Sequence, residues 1–461
     1  MADLVIRNAR IVLPEGIIRG ELSVEEGRIF EIAASGLPKG DREINVKNKI
    51  VMPGVIDSHV HLYDHRHPFR EDFQNGSAAA AAGGITSVIV APLDTSMLTP
   101  EMIENIIELG QRESVIDFDL HAGKMTADSM IDIPKLATLG IKSFKASTCA
   151  LYRIEGKVLE KLMATIKTIG GIAFVHAVDD KVLKKRTERL LKEGRWDPLA
   201  HAESCPSEAE EKAIQKVIML AKRTGCKLHL AHITTRQGVE LVKKAKDKRV
   251  PVTSEICPHY LLFAREDMQR FGPYLKVNPA LKTSEDCAAL WNALAGGIID
   301  IVSSDHAPCT KAEKEVGWRN IWTAQVGVPS VETLLPLMIS EGAAKGRLTL
   351  ERLVDALCAQ PAQIFGLYPR KGVIRKGSDA DLVIVDLKKE ATITAEKMHY
   401  KVGWTPYEGM RIKGMPVMTI SRGIVVAENG DVVGKPGYGQ FLSKYMPTRD
   451  SSPASSPLTS P

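Results

Sequence analysis

The spacing of apolar residues divides the chain into regions with different patterns of apolar and polar positions. Short apolar runs separated by turn residues, typical of a small β unit, fill residues 1–50. These runs are 4–6, 10–13, 21–24 and 28–32. From residue 51 to 366, continuous apolar runs alternate with helical patterns. The clearest apolar runs are 85–90, 172–175 and 299–302, and the clearest helical patterns are 102–109, 208–223 and 350–359.

This alternation predicts an α/β fold. Continuous apolar strands between helices indicate parallel strands that are buried on both faces. Residues 51–366 hold about eight such units, which favours one TIM-like (β/α)8 barrel over two doubly wound sheets. Short apolar runs typical of β-strands occur again in residues 367–447, so we expect both chain ends to meet beside the barrel. Residues 448–461 are rich in Ser and Pro and are predicted to be a disordered tail.

Composition excludes several classes of function. The 461 residues are 44% apolar, and 61 basic against 56 acidic side chains give a net charge of +5, too weak to indicate nucleic acid as a partner. No apolar run approaches the roughly 20 residues of a membrane span, and the N-terminus lacks a secretory signal pattern. The seven cysteines form no C-x-x-C pair, so we expect no disulfide framework and a cytoplasmic location.

Histidine or aspartate follows four of the apolar runs. His59 and His61 alternate along a predicted strand, so both side chains point to the same face and could chelate a divalent cation. The other runs end at His176, at His229 and His232, and at Asp305. Active sites of α/β barrels lie at the carboxyl ends of their strands. The pattern therefore predicts a metal centre with one ion or more.

Residues 53–61, Pro-Gly-Val-Ile-Asp-Ser-His-Val-His, resemble the signature of the amidohydrolase superfamily. Further stretches resemble its cyclic-amide branch, the dihydroorotases, allantoinases and hydantoinases. They are 79–86, 257–261, 276–279, 304–308 and 377–383. The motifs follow the family order over about residues 4–441. This resemblance implies a metal-dependent barrel over 51–366 and a small β-sandwich built from 1–50 and 367–447.

The resemblance also implies a binuclear site. Lys145 takes the position of the family's carboxylated lysine, N6-carboxylysine, whose CO2-derived carbamate is an anionic ligand suited to bridging two metals. The implied ligands are His59, His61 and Asp305 on one ion, His176 and His232 on the other, and Lys145 between them. Two divalent ions, with Zn²⁺ preferred, are the expected cofactors. His229 and His259 are then expected to support the site from behind, His259 through hydrogen bonds.

The implied reaction is hydrolysis of a cyclic amide. Two cations about 3.5–4 Å apart lower the pKa of a bridging water, so that a metal-bridging hydroxide attacks the carbonyl. Asp305 is the expected catalytic residue, which takes the released proton and delivers it to the leaving ring nitrogen.

Four further residues are expected to contact the substrate: Tyr63, Asp94, Asn278 and Cys309. Three of them depart from the carboxylate-binding pattern of dihydroorotases. Tyr63 replaces an arginine, Asp94 makes the following turn acidic, and Cys309 replaces a histidine. These departures favour an uncharged cyclic ureide, as in allantoinases. Asn278 is carried over from the Lys-Val-Asn-Pro motif.

Alternatives stay open at this point. Arg66 could bind an anionic ring, which keeps a dihydroorotase possible, and Tyr152 could line a hydantoinase-like pocket although it lies two residues further from Lys145 than expected. A non-catalytic scaffold would have lost ligand positions, and a mononuclear deaminase would lack the bridging lysine. The small cyclic amide is the expected partner, and a homo-oligomer, tetramer or dimer, is expected by analogy.

Overall fold

The N-terminal apolar runs form five strands in the computed structural model, which describes residues 2–64, 66–93, 98–150 and 152–443. They are β1 (Leu4–Leu13), β2 (Gly16–Glu25), β3 (Arg28–Ala33), β4 (Arg42–Asn45) and β5 (Ile50–Pro53). The runs 4–6 and 10–13 belong to one strand, because a bulge at Asn8 shifts the register without ending the strand. The Ser/Pro-rich tail lies outside the described residues.

The middle of the chain forms a barrel of parallel strands. They are β6 (Val55–Val60), β7 (Ile85–Val90), β8 (Asp117–Leu120), β9 (Ala122–Gly123), β10 (Ser143–Ser147), β11 (Ile172–His176), β12 (Lys227–Leu230), β13 (Val252–Ile256) and β14 (Ile301–Val302). β8 pairs with β7 and β9 pairs with β10, so the two short strands share one of eight barrel positions. A bridge between His306, just after β14, and Val60 of β6 brings the end of the barrel back to its first strand. The predicted (β/α)8 fold is confirmed.

Helices cover the outside of the barrel. The α-helices are α1 (Phe73–Ala82), α2 (Pro100–Glu113), α3 (Ile133–Thr138), α4 (Gly156–Thr168), α5 (Asp180–Lys192), α6 (Pro198–Ser204), α7 (Ser207–Thr224), α8 (Arg236–Asp247), α9 (Pro258–Leu262), α10 (Met268–Phe271), α11 (Ser284–Ala295), α12 (Lys311–Glu315), α13 (Leu334–Leu337), α14 (Leu350–Val354) and α15 (Gln360–Ile364). Wider π-helical turns follow α13 at Met338–Ala343 and α14 at Asp355–Ala359. The predicted helix 350–359 is therefore α14 with its π-helical extension. Among the residues described, no helix is long and apolar enough to span a membrane.

The C-terminal strands complete the β domain. They are β15 (Leu382–Thr392), β16 (Arg411–Ser421), β17 (Ile424–Glu428) and β18 (Asp431–Val432). β15 pairs antiparallel with β5, which joins both ends of the chain in one nine-stranded sheet with its own apolar core. Because β5 belongs to this sheet, the barrel begins at Val55. Only Gly54 separates the two strands, and a Cβ there would lie 2.1 Å from Thr86 Oγ1.

A group of buried charges, here called the seam cluster, joins the β domain to the barrel. It consists of Asp117, Lys371, Asp379, Asp381 and Arg422. Lys371 Nζ lies 2.5 Å from Asp117, 3.0 Å from Asp379 and 2.6 Å from Asp381. Burial opposes the charged form of Lys371, but the three carboxylates outweigh it and raise its pKa. The cluster therefore contains its own counter-ions.

Candidate metal centre

Three side chains meet at the carboxyl end of β6. His59 and His61 extend from the same face of this strand, and each Nε2 lies 3.2 Å from Asp305 Oδ1. The other ring nitrogens are occupied: Nδ1 of His61 donates to the Ala91 carbonyl at 2.8 Å, and Nδ1 of His59 lies 2.6 Å from Glu255 Oε1. An imidazole that donates from Nδ1 has its lone pair on Nε2, so each Nε2 is placed to act as a ligand atom.

A second group lies beside the first. Nδ1 of His176 is 2.9 Å from Nε2 of His232, and Lys145 Nζ is 2.8 Å from Nε2 of His59. Lys145 comes from β10, which runs beside the strand of His176. The sequence places these residues at strand ends, and the barrel brings all six predicted ligands to one cavity.

The backbone around two of these residues is unusual. Asp305 and His232 have φ values of 46° and 28°, in a region that non-glycine residues rarely adopt. Such conformations tend to persist where the surrounding structure requires them, often in active sites. Both residues turn toward the cavity at this point.

Burial favours the neutral form of three of the imidazoles. It lowers the pKa of His61, that of His232 well below the usual value, and that of His176 to about 3. Burial also lowers the pKa of Lys145 to about 8. Around Asp305, by contrast, burial is outweighed by the neighbouring imidazoles, His59 foremost, so its pKa lies below the usual range. Neutral imidazole and ionised carboxylate are the forms that bind metal.

The contacts around Asp305 fit a cation. An imidazole that donates from Nδ1 has an acceptor lone pair on Nε2, so a cation between Nε2 and Asp305 Oδ1 would stabilise their approach to 3.2 Å. Ligand atoms around a tetrahedral Zn²⁺ with bonds of about 2.0–2.1 Å lie about 3.3 Å apart. The spacing and the donor set of His59, His61 and Asp305 are therefore compatible with a divalent metal.

The ligand groups line a cavity of about 270 Å³, large enough for a small heterocycle. Asn278 and Tyr152 both line it, and Lys124 Nζ lies 4.6 Å from the centre of the Tyr152 ring. Leu93, Val326 and Val328 contribute apolar wall. The cavity is thus a mixed polar and apolar pocket above the candidate metal site.

Other predicted substrate contacts lie elsewhere. Tyr63 lines a small neighbouring cavity that it shares with His61. Cys309 is fully buried outside the lining, with Sγ 3.9 Å from the Gly327 carbonyl oxygen. Asp94 lies outside the described residues. Arg66 is exposed and does not line the cavity either.

The structure adds a residue that the motifs did not identify. Glu255, fully buried on β13, contacts His59 Nδ1 through one oxygen and lies 3.4 Å from His229 Nε2 through the other. It also accepts the backbone N–H of His232 at 3.3 Å. The available signal was a glutamate in the stretch 252–256, which forms β13, because a charge in a strand buried on both faces needs partners.

The supporting histidines differ from one another. His229 Nδ1 lies 2.8 Å from Thr253 Oγ1, so it packs behind the site as expected. His259 was expected to hold the site through hydrogen bonds, yet neither ring nitrogen has a hydrogen-bond partner among the described residues. Its ring lines the cavity, where burial lowers its pKa to about 4.

Comparison with known proteins agrees with this geometry. Residues 50–426 match the amidohydrolase family. Three curated relatives have similar sequence identity to this chain. An L-hydantoinase of Paenarthrobacter aurescens is 35% identical over 96% of this chain and 98% of its own length, and a dihydroorotase of Methanosarcina acetivorans is 34% identical over 96% of each chain. An allantoinase of Deinococcus radiodurans is 33% identical over 94% of this chain and 97% of its own length.

A solved structure, L-hydantoinase (dihydropyrimidinase) from Arthrobacter aurescens, superimposes with a TM-score of 0.94 at 34% identity. The match covers 96% of this chain and 100% of the other. Sequence, fold and site geometry agree, and the chain belongs to the amidohydrolase family.

Proposed function

We propose that the protein is a metal-dependent hydrolase that opens the ring of a cyclic ureide of the hydantoin or allantoin type. The observation that carries this proposal is the convergence of His59, His61, His176, His232, Asp305 and Lys145 on one cavity at the carboxyl ends of the barrel strands. The relatives named hydantoinase, allantoinase and dihydroorotase act on this class of bond and support the same conclusion.

The residues fit two divalent cations, with Zn²⁺ favoured by imidazole and carboxylate ligands. In this proposal His59, His61 and Asp305 would hold one cation, and His176 and His232 would hold the other. Lys145, as its neutral amine, would add to CO2 with loss of one proton, and the resulting carbamate would supply an anionic ligand to both. Its position 2.8 Å from His59 Nε2, on the strand beside that of His176, supports this role.

When bound, the cations polarise the amide carbonyl and increase the acidity of water. Asp305 accepts the proton of the attacking water on a carboxylate oxygen. It then returns this proton to the ring nitrogen that leaves, so that the C–N bond breaks to give a carboxylic acid, which ionises, and a free ureido group. Asn278 orients the ring from the cavity wall, while Val326 and Val328 exclude water from the ring's apolar face.

An uncharged ring is the first candidate because Tyr63 stands where an anion-binding arginine is expected. A dihydroorotase is the second candidate, because Lys124 brings an ammonium group into the cavity beside Tyr152. Such a group favours a ring that carries a carboxylate. The cytoplasmic location, the homo-oligomer and the roles of Asp94 and Cys309 stay predictions.

A substrate panel tests this proposal. Purified protein is loaded with Zn²⁺ or Mn²⁺ in bicarbonate, and kcat/KM is measured for hydantoin, allantoin, dihydrouracil and dihydroorotate. We expect turnover of at least one uncharged ureide, loss of activity on chelation, and recovery with metal. Metal analysis should give about two ions per chain.

The outcomes separate the candidates. Preference for dihydroorotate, with a loss of that preference in Lys124→Gln but not in the exposed control Lys135→Gln, would establish the second candidate instead. A protein that carries about one ion per chain would contradict the binuclear site, and one that binds no metal would contradict hydrolysis of this type.

A further inference from the structure

A second cavity lies far from the metal ligands, on the seam between the β domain and the barrel. Its volume is about 810 Å³, and we call it the seam pocket. The wall includes the β2–β3 turn, the segment between α15 and β15, and the start of the β16–β17 turn. None of the six predicted metal ligands lines it.

The seam pocket is strongly basic. Among the described residues, five basic side chains line it: Arg28, Arg370, Arg375, Lys376 and Arg422. The acidic side chains in its lining are Glu26 and Asp379. This excess contrasts with the near balance of charge over the whole chain, where 61 basic residues face 56 acidic ones.

Two of these cations are already paired. Arg370 Nε donates to Asp379 at 2.9 Å, and Arg422 Nε donates to Asp117 at 3.1 Å. The carboxylates Asp117, Asp379 and Asp381 could by themselves attract a metal ion, but Lys371 and Arg422 already neutralise them. These carboxylates are therefore not expected to bind a metal ion.

The other three cations stand at the rim. Arg28, Arg375 and Lys376 are exposed, and no ion pair joins any of them to a described residue. Lys376 Nζ lies 5.1 Å from the centre of the Phe30 ring, which holds the ammonium near the pocket without neutralising it. Like charges gathered around one cavity repel each other, and a multivalent anion relieves that repulsion.

We propose that the seam pocket binds a small polyphosphate anion, such as the phosphate chain of a nucleoside di- or triphosphate. Guanidinium groups bind phosphate oxygens in pairs, and the volume accommodates several phosphate groups or a complete nucleotide. The ligand joins Arg28, at the start of β3, to Arg375 and Lys376 of the segment that returns from the barrel. Binding therefore stabilises the attachment of the two halves of the β domain to each other.

The test uses inorganic tripolyphosphate as the probe on the full-length, metal-loaded protein. Binding is measured by calorimetry and by the shift of the unfolding midpoint, with sodium chloride at matched ionic strength as the reference. We expect saturable binding that raises the midpoint, weakens as salt increases, and falls at least tenfold in Arg375→Gln/Lys376→Gln. ATP in place of tripolyphosphate then shows whether a nucleoside adds affinity.

A matched control removes the same charge elsewhere. Lys181→Gln/Lys185→Gln changes two exposed lysines of α5 and should bind tripolyphosphate as the wild type does. Tripolyphosphate can also extract active-site metal, but this effect would be equal in all three proteins. Equal responses of the three proteins, or a response that sodium chloride reproduces, would overturn the proposal. Arg28→Gln provides a second, independent variant on a different segment of the lining.

Discussion

Two buried clusters of the same molecule gather charged and polar groups in different ways. In the seam cluster, three carboxylates surround Lys371 at 2.5–3.0 Å, and Arg422 adds a second cation. At the barrel mouth, imidazole nitrogens face the carboxylate of Asp305, and burial lowers the pKa of Lys145, the lysine beside His59, to about 8. In the seam cluster, a lysine and an arginine of the chain neutralise the carboxylates. At the barrel mouth, imidazole nitrogens and a carboxylate face each other as potential ligands for a cation.

The difference teaches how a carboxylate cluster should be interpreted. Asp117, Asp379 and Asp381 approach one another as closely as metal ligands do, as do His59, His61 and Asp305. Proximity alone therefore does not separate a structural cluster from a metal site. The distinction lies in whether a lysine or arginine already occupies the centre, as Lys371 does on the seam.

The largest expected effect is on catalysis at Asp305. Asp305→Asn should retain bound metal, because an amide oxygen can still act as a ligand, but it cannot accept a proton. We expect kcat to fall by about 10²–10⁴-fold, the range typical of a lost general base. Steady-state kinetics with metal analysis on the same sample measures both. A metal-loaded and active variant would contradict the role of Asp305 in proton transfer.

The next effect tests the seam cluster. Lys371→Met leaves three buried carboxylates without their central cation and should lower the free energy of unfolding by about 3–5 kcal/mol. Urea unfolding measures this change. Lys243→Met is the control, because the Lys243–Asp247 pair is exposed and its loss should cost less than about 0.5 kcal/mol. Similar losses in both variants would mean that burial does not distinguish the seam cluster.

Glu255 tests whether the metal site depends on a carboxylate that is not a ligand. Glu255→Gln keeps the size of the side chain but weakens the hydrogen bond to His59 Nδ1, so the metal affinity should fall about 10–100-fold. Competition with a chromogenic chelator measures the affinity without turnover. Glu210 is a matched buried carboxylate that accepts hydrogen bonds from Thr234 and Thr235. Glu210→Gln should leave metal affinity unchanged, and equal losses would make Glu255 merely structural.

The smallest expected effect concerns a buried histidine outside the metal site, where burial lowers the pKa. His201 is buried outside both clusters, donates to the Val277 carbonyl at 2.8 Å, and has its pKa lowered to about 3 by burial. Below about pH 6.5 this imidazole is protonated in the unfolded chain but stays neutral in the folded protein. The free energy of unfolding therefore falls as the pH decreases toward 3. At pH 5 the loss is about 2 kcal/mol.

The comparison protein for this experiment is His201→Gln, followed by urea unfolding at pH 7 and pH 5. The variant should lose about 2 kcal/mol less than the wild type between these values. Parallel losses would show that His201 is protonated within the folded protein.

The sequence predicted well what strand alternation governs. His59 and His61 share a face because they are two residues apart at the carboxyl end of β6. His176, His232 and Asp305 lie at or just after strand ends, which a barrel necessarily brings together. Tyr63 and Cys309 lie beyond the strands, where loop geometry decides direction, so the pattern could not locate them relative to the cavity. Their predicted roles in substrate binding stay untested.

Contacts between distant segments were not predictable in the same way. Glu255 and His59 are 196 residues apart, and Lys371 and Asp117 are 254 apart. Each pairing depends on which strands of the closed barrel face one another and on how the β domain attaches. A periodic pattern fixes which face a side chain occupies, but it does not fix its partner.

The single residue between β5 and β6 has a consequence for synthesis of the protein. β5 is held by β15, and the next strand carries His59 and His61. The histidines that leave the ribosome first are therefore anchored by a segment that leaves it among the last. A chain cut before Leu382 would leave β5 paired with β1 but without β15, so the strand that leads directly into His59 and His61 would lack its partner from the C-terminal half.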